Sequence, residues 1–315
     1  MPLNEQSEKK PLLQQNDNIL GELVEKGVLS KIIGTPRNIS TGLSSVVIDA
    51  NTAEGRRIIK LREFGALSEN LSYEQWRQQD VSVPHVYSAG HFNKQQALGY
   101  LIMDPVIDSV GGLAKLGYET DNKYRNAIEQ FLGKQLAKMH QTKSDHFGGL
   151  VDDENSTVLT TTWNDYVDYL LGKSERDLLE ICGIKPKQFE FIRQLVNLTY
   201  SSSAVFAHGD FGIYSILVKN IVPVDGVIFD PDPVLGDPYY DVANYLVSKS
   251  AWSGKTIDYD TDPFFNAYIE TTGAAAVDQK RLAANQALAA ISHFISTVKR
   301  KEYERAERYK KILFT

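Results

Sequence analysis

Two carboxylates, each beside a short apolar segment, have the types and spacing most suited to chemistry in this chain. Asp210 lies in the segment 206–218, and Asp230 lies in the segment 226–243. The apolar triplets 216–218 and 227–229 predict two strands that pair as a hairpin. Asp210 and Asp230 then flank this hairpin, and we expect both side chains to face one cleft.

Carboxylates that share a poorly solvated cleft raise each other's pKa, and a divalent cation relieves their repulsion. An oxygen-rich site with few protein ligands and room for phosphate groups is typical of Mg²⁺. A single aspartate beside glycine and proline more often serves a turn or a helix cap. Turns do not require the joint order of His208, Gly209, Asp210 and the later aspartates, so the whole pattern favours a chemical site.

Together, the two segments resemble a known family. The features that carry the resemblance are, in chain order, His208-Gly209-Asp210, position 215, the strand 216–218, Asp230 after the next strand, Gly236-Asp237-Pro238 and Asp241-Val242-Ala243. This pattern is similar to that of the aminoglycoside phosphotransferases, the small-molecule branch of the protein-kinase-like fold that includes hygromycin, choline and fructosamine kinases. The resemblance implies an α+β, bilobal fold with a small strand-rich N-terminal lobe and a larger, mostly helical C-terminal lobe.

The resemblance also implies a reaction and its catalytic residues. The γ-phosphoryl group of ATP, with GTP as the alternative donor, passes to a hydroxyl of a small molecule. Asp210 matches the base that accepts the hydroxyl proton. Asp230 matches the aspartate that binds Mg²⁺, and Asp237 and Asp241 match positions that we interpret as a scaffold for the catalytic loop.

Position 215 departs from the family pattern. Where the family has an asparagine that binds Mg²⁺, this chain has Ser215. A serine hydroxyl binds Mg²⁺ in P-loop enzymes, but serine is one bond shorter than asparagine. We therefore predict Asp230, Ser215 and Asp232 as metal ligands, with an altered metal demand. The alternative is a non-catalytic, nucleotide-binding, pseudokinase-like protein, because a lost metal contact removes charge stabilisation.

Weaker matches in the N-terminal half indicate where the nucleotide binds. Lys60 ends a predicted strand at the position of the lysine that binds the α- and β-phosphates, and Glu69 is its expected carboxylate partner, with Glu74 as the competitor. The turn expected to cover the phosphates and the connector expected to hold adenine contribute two residues each: Gly42 and Ser44, and Met103 and Val106.

Two other classes of function stay open at the level of the sequence. The segment 227–234 also resembles the first motif of haloacid-dehalogenase-type phosphatases, in which Asp230 would be the nucleophile. The next acidic motif begins at Gly236, too close to Asp232 for separate strands, and no βαβ alternation surrounds it. The third interpretation is a binding module without catalysis.

The spacing of apolar residues predicts the elements that position these residues. The predictions are a hairpin of residues 46–48 and 58–59, a helix over 68–79, a strand over 100–103, and helices over 128–139 and 282–298. We interpret the charged run 299–311 as a solvated extension of the last helix. The N-terminal lobe is expected at residues 1–103, with 1–15 as a tail, and the C-terminal lobe at residues 104–315.

Composition restricts the partners. The chain has 315 residues and a formal charge of −6, without a basic cluster, which argues against a nucleic-acid partner. No apolar run approaches the roughly 18 residues that span a bilayer, so we expect no membrane partner and a cytoplasmic location. We expect a monomer or homodimer. The resemblance implies an aminoglycoside, a sugar or an amino alcohol as the acceptor, and we expect its pocket among four aromatic residues: Trp163, Tyr166, Trp252 and Tyr268.

Overall fold

The computed structural model describes residues 16–41, 45–63, 65–93, 98–106, 111–112, 122–150, 158–198, 201, 203–255, 257–273 and 278–314. The described residues divide into two compact units. The first contains those of Met1–Tyr73 and Pro84–Pro105, and the second contains those of Glu74–Val83 and Val106–Thr315.

An antiparallel sheet forms most of the first unit. Its five strands are β1 (Arg37–Thr41), β2 (Ser45–Thr52), β3 (Gly55–Arg62), β4 (Val86–Asn93) and β5 (Leu98–Met103), in the order β1-β2-β3-β5-β4. Helix α1 (Asn16–Glu25) lies within this unit, and helix α2 (Ala66–Arg77) begins in it and has its last four residues in the second unit. The predicted hairpin, helix and strand are therefore present as β2–β3, α2 and β5.

Alternating side chains explain why β2 and β3 form the centre of this unit. Val46, Ile48 and Ala50 on β2 are buried at every second position, as expected for a strand with one face in the core. On β3, Ile59 and Leu61 join them in one apolar cluster with Leu23 and Ile102. Lys60 pairs with Val47 across the hairpin, and its side chain is also buried.

Helices dominate the second unit. They are α3 (Asn122–Met139), α4 (Trp163–Arg176), α5 (Pro186–Val196), α6 (Pro238–Ser253), α7 (Pro263–Thr272), α8 (Gln279–Lys299) and α9 (Tyr303–Leu313), with a π-helical turn at Asp177–Ile181. The strands are β6 (Gly111–Gly112), β7 (Lys143–Ser144), β8 (Phe147–Gly149), β9 (Val158–Thr160), β10 (Ala204–Ala207), β11 (Ile216–Ile221), β12 (Val224–Ile228) and β13 (Val234–Gly236). In the part of the chain that the structure describes, none of the helices combines the length and the apolar composition that crossing a bilayer requires.

Two small antiparallel sheets position the acidic segment. One has the strand order β7-β10-β13-β8-β9, and the other has the order β12-β11-β6. The predicted hairpin is β11–β12, in which Ile216 pairs with Ile228 and Leu217 pairs with Val227. β12 pairs antiparallel with β11 as a hairpin. This hairpin differs from the βαβ unit that the motif of the phosphatase alternative requires.

The prediction for the charged run 299–311 is wrong. Helix α8 ends at Lys299, Lys301 has a left-handed backbone with φ of 62°, and a separate helix, α9, begins at Tyr303. Helix α9 is not a solvated extension, because Ala306, Tyr309 and Leu313 are buried. The ring of Tyr309 stacks on His293 of α8, with 5.1 Å between the ring centroids.

Candidate active site

The loop of residues 208–215, called the Asp210 loop below, is fixed through its backbone by a buried carboxylate. Asp241 on α6 accepts hydrogen bonds from the backbone N–H groups of His208 (2.7 Å) and Gly209 (2.8 Å). His140 approaches the same carboxylate through Nε2 at 3.1 Å. Asp241 therefore orients the residues immediately before Asp210 without facing solvent, as the scaffold interpretation requires.

Gly209 is required by both its conformation and its surroundings. Its φ is +82°, in the left-handed region where side chains are strained. A Cβ at this position would lie 1.7 Å from the carbonyl oxygen of Asp232. The absence of a side chain lets the loop pass directly over the segment that follows β12, where the backbone N–H of Asp232 donates to the carbonyl of His208 (2.9 Å).

His208 packs within the protein and does not face the cavity. Its ring stacks on Trp76, with 5.8 Å between the centroids and 3° between the planes. Its Nε2 lies 3.1 Å from the carbonyl oxygen of Phe229, and Trp76 donates from Nε1 to the carbonyl of Phe206 at 3.1 Å. His208 is thus an orienting residue that ties the Asp210 loop to the segment before Asp230.

Three carboxylates line one cavity of about 400 Å³, called the Asp210 cavity below: Asp210, Asp230 and Asp232. Each is exposed in this cavity. Asp230 has a left-handed φ of 62°, which aspartate tolerates better than most residues, and it turns the chain sharply after β12. Loss of solvation by the surrounding protein and repulsion by Asp232, Asp230 and Asp241 together raise the pKa of the Asp210 carboxyl to about 7, and the loss of solvation is the larger cause.

The hydroxyl of Ser215 is engaged with the backbone of its own loop. It donates to the carbonyl of Asp210 and accepts from the N–H of Gly212, each at 3.0 Å. Ser215 also lines the Asp210 cavity. These bonds close the loop around Asp210, and they leave the hydroxyl oxygen one lone pair for a further partner.

The donor set of the cavity fits a hard divalent cation. Asp230 and Asp232 supply carboxylate oxygens, the ligands that Mg²⁺ prefers, and Mg²⁺ commonly takes only one or two carboxylates when phosphates and water complete its shell. Among the described residues, no group of three histidine, cysteine, aspartate or glutamate side chains is arranged to hold a metal. A cation bound to this lining would need phosphate or water oxygens to complete its shell.

Part of the cavity lining, called the basic wall below, carries positive charge that was not predicted from the sequence. Arg300 and Arg305 line it together with His293 and Tyr309, all from α8, α9 and the link between them. Burial, together with the charges of Arg305 and Arg300, lowers the pKa of His293 to about 4, so this imidazole is neutral at pH 7. A usable signal was present, because Ala306, Tyr309 and Leu313 recur at helical spacing and indicate a buried face.

The four aromatic residues expected around the acceptor do not form one pocket. Trp163 is fully buried in the core. Tyr268 bonds through its hydroxyl to Nδ1 of His140 at 2.8 Å, on the far side of Asp241. Tyr166 lines a neighbouring cavity, whereas Trp252 packs edge-on against Tyr214 with 5.5 Å between centroids. Large aromatic rings fill the core more often than they recognise ligands. The structure does not gather these four residues in one cavity, and the position of the acceptor pocket stays a prediction.

In the first unit, Lys60 and Glu69 form the ion pair that was predicted from the sequence. Lys60 donates from Nζ to both carboxylate oxygens of Glu69, at 2.9 and 2.8 Å. Arg62 forms a second ion pair with Glu69, and the Tyr73 hydroxyl donates to it at 2.7 Å. Glu69 is fully buried. A buried carboxylate held by several donors fixes the lysine, since such a pair is costly to break.

Of the other four residues predicted to bind the nucleotide, the structure describes two. Met103 ends β5 and is buried, and Val106 is half-buried three residues later. Gly42 and Ser44 lie outside the described residues.

The model of the phosphotransferase enzyme family matches residues 35–282. No curated protein sequence matches the chain. Among solved structures, the chain is similar to the aminoglycoside phosphotransferase APH(4)-Ia, with 16% identity and a TM-score of 0.64 over 95% of this chain and 98% of that chain.

Two further structures share this architecture. A putative fructosamine-3-kinase from Haemophilus somnus 129PT has 14% identity and a TM-score of 0.63, over 92% of this chain and 95% of that chain. The GDP and kanamycin complex of APH(2")-IIia has 11% identity and a TM-score of 0.62, over 94% and 97%. The α+β, protein-kinase-like fold predicted from the sequence is confirmed. Because the family model matches most of the chain, the protein belongs to the phosphotransferase enzyme family, and the predicted enzyme class is confirmed.

Proposed function

We propose that the protein transfers the γ-phosphoryl group of ATP to a hydroxyl group of a small molecule, with Asp210 as the base. The observation that carries this proposal is the convergence of Asp210, Asp230 and Asp232 on one cavity, beside a loop that Asp241 holds through two backbone N–H groups.

Asp210 orients the acceptor hydroxyl and takes up its proton. The acceptor oxygen bonds to the γ-phosphorus, the bond from that phosphorus to the bridging oxygen breaks, and ADP leaves. An alcohol is too weak an acid to ionise beforehand, so the proton moves late and positioning supplies much of the rate. A carboxyl whose pKa is raised to about 7 holds that proton near neutral pH and then releases it to solvent.

Asp230 and Asp232 are the residues proposed to hold Mg²⁺, which neutralises charge on the β- and γ-phosphates when it is bound. Their exposure in the cavity keeps both carboxylates available to a ligand. For Ser215, the role of metal ligand stays a prediction. Its hydroxyl already links Asp210 and Gly212, and this supports a role in holding the loop.

The buried Lys60–Glu69 pair supports a nucleotide site in the first unit. Relatives of similar fold are known as complexes, APH(4)-Ia with AMP-PNP and hygromycin B and the APH(2") enzyme with GDP. These complexes support ATP as the donor and GTP as the alternative. The adenine-holding role of Met103 and Val106 and the phosphate-covering role of Gly42 and Ser44 stay predictions, as do the cytoplasmic location and the monomeric or dimeric state.

Binding of Mg²⁺·ADP and Mg²⁺·GDP by titration calorimetry, followed by ADP release from ATP across a panel of hydroxylated acceptors, tests the proposal. We expect Lys60→Gln to weaken nucleotide binding about tenfold or more, because a charged hydrogen-bond donor is lost. Lys31→Gln, at an exposed lysine of the same unit, is the matched control. Absence of nucleotide binding in the wild type would overturn the proposal, and binding without turnover on any acceptor would favour the non-catalytic alternative.

A further inference from the structure

The basic wall of the Asp210 cavity contains a cation with no fixed counter-ion. Arg300 directly follows α8, is exposed in the cavity, and makes no ion pair with any residue that the structure describes. It is close enough for its charge to lower the pKa of Asp210 against the three neighbouring aspartates. The cavity therefore holds opposite charges on two walls rather than a uniformly negative surface.

Arg305, on α9, is held in place by aromatic rings. Its guanidinium lies 5.2 Å from the ring centre of Tyr214 and 5.8 Å from those of Trp252 and Tyr309. Its hydrogen bonds are long, 3.3 Å to Glu302 and 3.4 Å to the Tyr309 hydroxyl, and its Nε is buried without an acceptor among the described residues. Cation–π contacts and the ion pair with Glu302 hold the guanidinium, and they leave part of its hydrogen-bonding capacity unused.

We propose that the acceptor carries an anionic group, a carboxylate or a phosphate ester, which Arg300 and Arg305 bind while its hydroxyl faces Asp210. This inference rests on the proposed phosphotransferase function and changes the acceptor class expected from the sequence. Two guanidinium groups match carboxylate and phosphate oxygens in geometry and charge. On the basic wall they repel the amines of a polycation such as an aminoglycoside.

The size of the cavity agrees with a small acceptor. Its volume of about 400 Å³ is near the lower end of the range of roughly 300–1,000 Å³ for ligand sites. A second cavity of about 290 Å³ adjoins it at Gly209 and Asp232 and is lined by apolar residues of α8, Leu288 and Ile291. A compact hydroxy acid or sugar phosphate fits the charged cavity better than a polycation of several rings.

Matched acceptor pairs that differ only in charge test this proposal. The pairs are gluconate with sorbitol and glycerol 3-phosphate with glycerol, and hygromycin B is the polycation. Initial rates of ADP release give kcat and KM, and calorimetry with Mg²⁺·AMP-PNP present gives binding. We expect the anionic member of at least one pair to bind and react with kcat/KM about tenfold or more above its neutral partner, because each charged hydrogen bond contributes about that factor.

Variants separate a role in acceptor binding from other roles. Arg300→Gln and Arg305→Lys are expected to raise KM for the anionic acceptor about tenfold, with kcat and Mg²⁺·AMP-PNP affinity changed less than about threefold. Lys301→Gln removes a neighbouring charge outside the cavity and is the control. Thermal melts check folding.

Three outcomes would overturn the inference: a preference for the neutral acceptors or hygromycin B, equal behaviour within both pairs, or arginine variants that weaken AMP-PNP and all acceptors alike. In the last case the arginines act on the nucleotide phosphates. Failure of the wild type to bind any nucleotide would instead remove the proposed function, so the two failures are distinguishable.

Discussion

The aspartates of residues 210–241 that surround the candidate site fall into two groups with opposite environments. Asp237 and Asp241 are fully buried and surrounded by donors, whereas Asp210, Asp230 and Asp232 are exposed in a common cavity. Asp237 accepts two hydrogen bonds from Arg281, at 2.7 and 2.6 Å, and others from Asn285 and the N–H of Tyr239.

The difference between the groups is the number of donors that the protein itself provides. A carboxylate with every lone pair in use stabilises the fold and is closed to ligands. For Asp210, loss of solvation is the largest cause of the raised pKa, and repulsion by Asp232, Asp230 and Asp241 adds to it. We therefore predict that the first group serves stability and the second serves chemistry, although glycines and prolines accompany both groups.

The largest expected effect is on catalysis. Asp210→Asn keeps the size of the side chain and removes its basicity, so we expect kcat to fall about 10³-fold while nucleotide affinity stays within about twofold. Rates of ADP release and calorimetry measure the two quantities. Asp225→Asn, at an exposed aspartate outside the cavity, is the control. A variant that kept more than about a tenth of the wild-type kcat would remove Asp210 as the base.

The next effect concerns the buried group. Asp237→Asn leaves the N-cap oxygen of α6 in place and breaks the ion pair with Arg281. We expect a loss of about 3 kcal/mol in the free energy of unfolding and a decrease of about 6–12 °C in Tm, because Arg281 is left half-buried without its counter-ion. Calorimetric melts measure the change. An unchanged Tm would place Asp237 with the exposed group instead.

The third effect is the pH dependence of stability. The folded state raises the pKa of Asp210 from 3.8 to about 7, so it binds this proton more tightly than the unfolded chain does. The contribution of Asp210 to stability therefore falls as the pH rises from about 4 to about 7 and stays lower above that. Asparagine does not ionise, so Asp210→Asn is expected to exceed the wild type by about 1 kcal/mol at pH 8, after allowance for screening by water in the cavity.

Melting curves between pH 4 and 8 in metal-free buffer with EDTA measure this difference. It should be near zero at pH 4 and should grow up to about pH 7. Asp225→Asn supplies the matched control. Curves for Asp210→Asn and the wild type that run parallel over the whole range would show that the folded state does not raise the pKa of Asp210.

The acidic residues of the cavity could be predicted from the sequence, whereas its basic wall could not. Asp210, Asp230 and Asp232 lie on either side of one hairpin, so local strand pairing alone brings them together. Arg300 and Arg305 reach the same cavity only because the chain turns at Lys301, where neither glycine nor proline marks the break. Long-range packing of α9 against α8 determines that wall, and residue spacing within a single helix does not encode it.

The smallest expected effect concerns the residue that departs from the family pattern. Ser215→Asn introduces the amide oxygen that the family places toward Mg²⁺, but it removes the hydroxyl that bonds to Asp210 and Gly212. We expect the Mg²⁺ concentration for half-maximal turnover to fall about threefold, because one neutral oxygen ligand is gained, and kcat to change by a similar factor or less.

Ser215→Ala, which removes the loop bonds without adding a ligand, should lower kcat and leave the metal requirement unchanged. Titrations of turnover against Mg²⁺ and Mn²⁺ for the three proteins measure this. Identical metal curves for the wild type and Ser215→Asn would remove position 215 from the metal site and leave Ser215 with the loop-holding role alone.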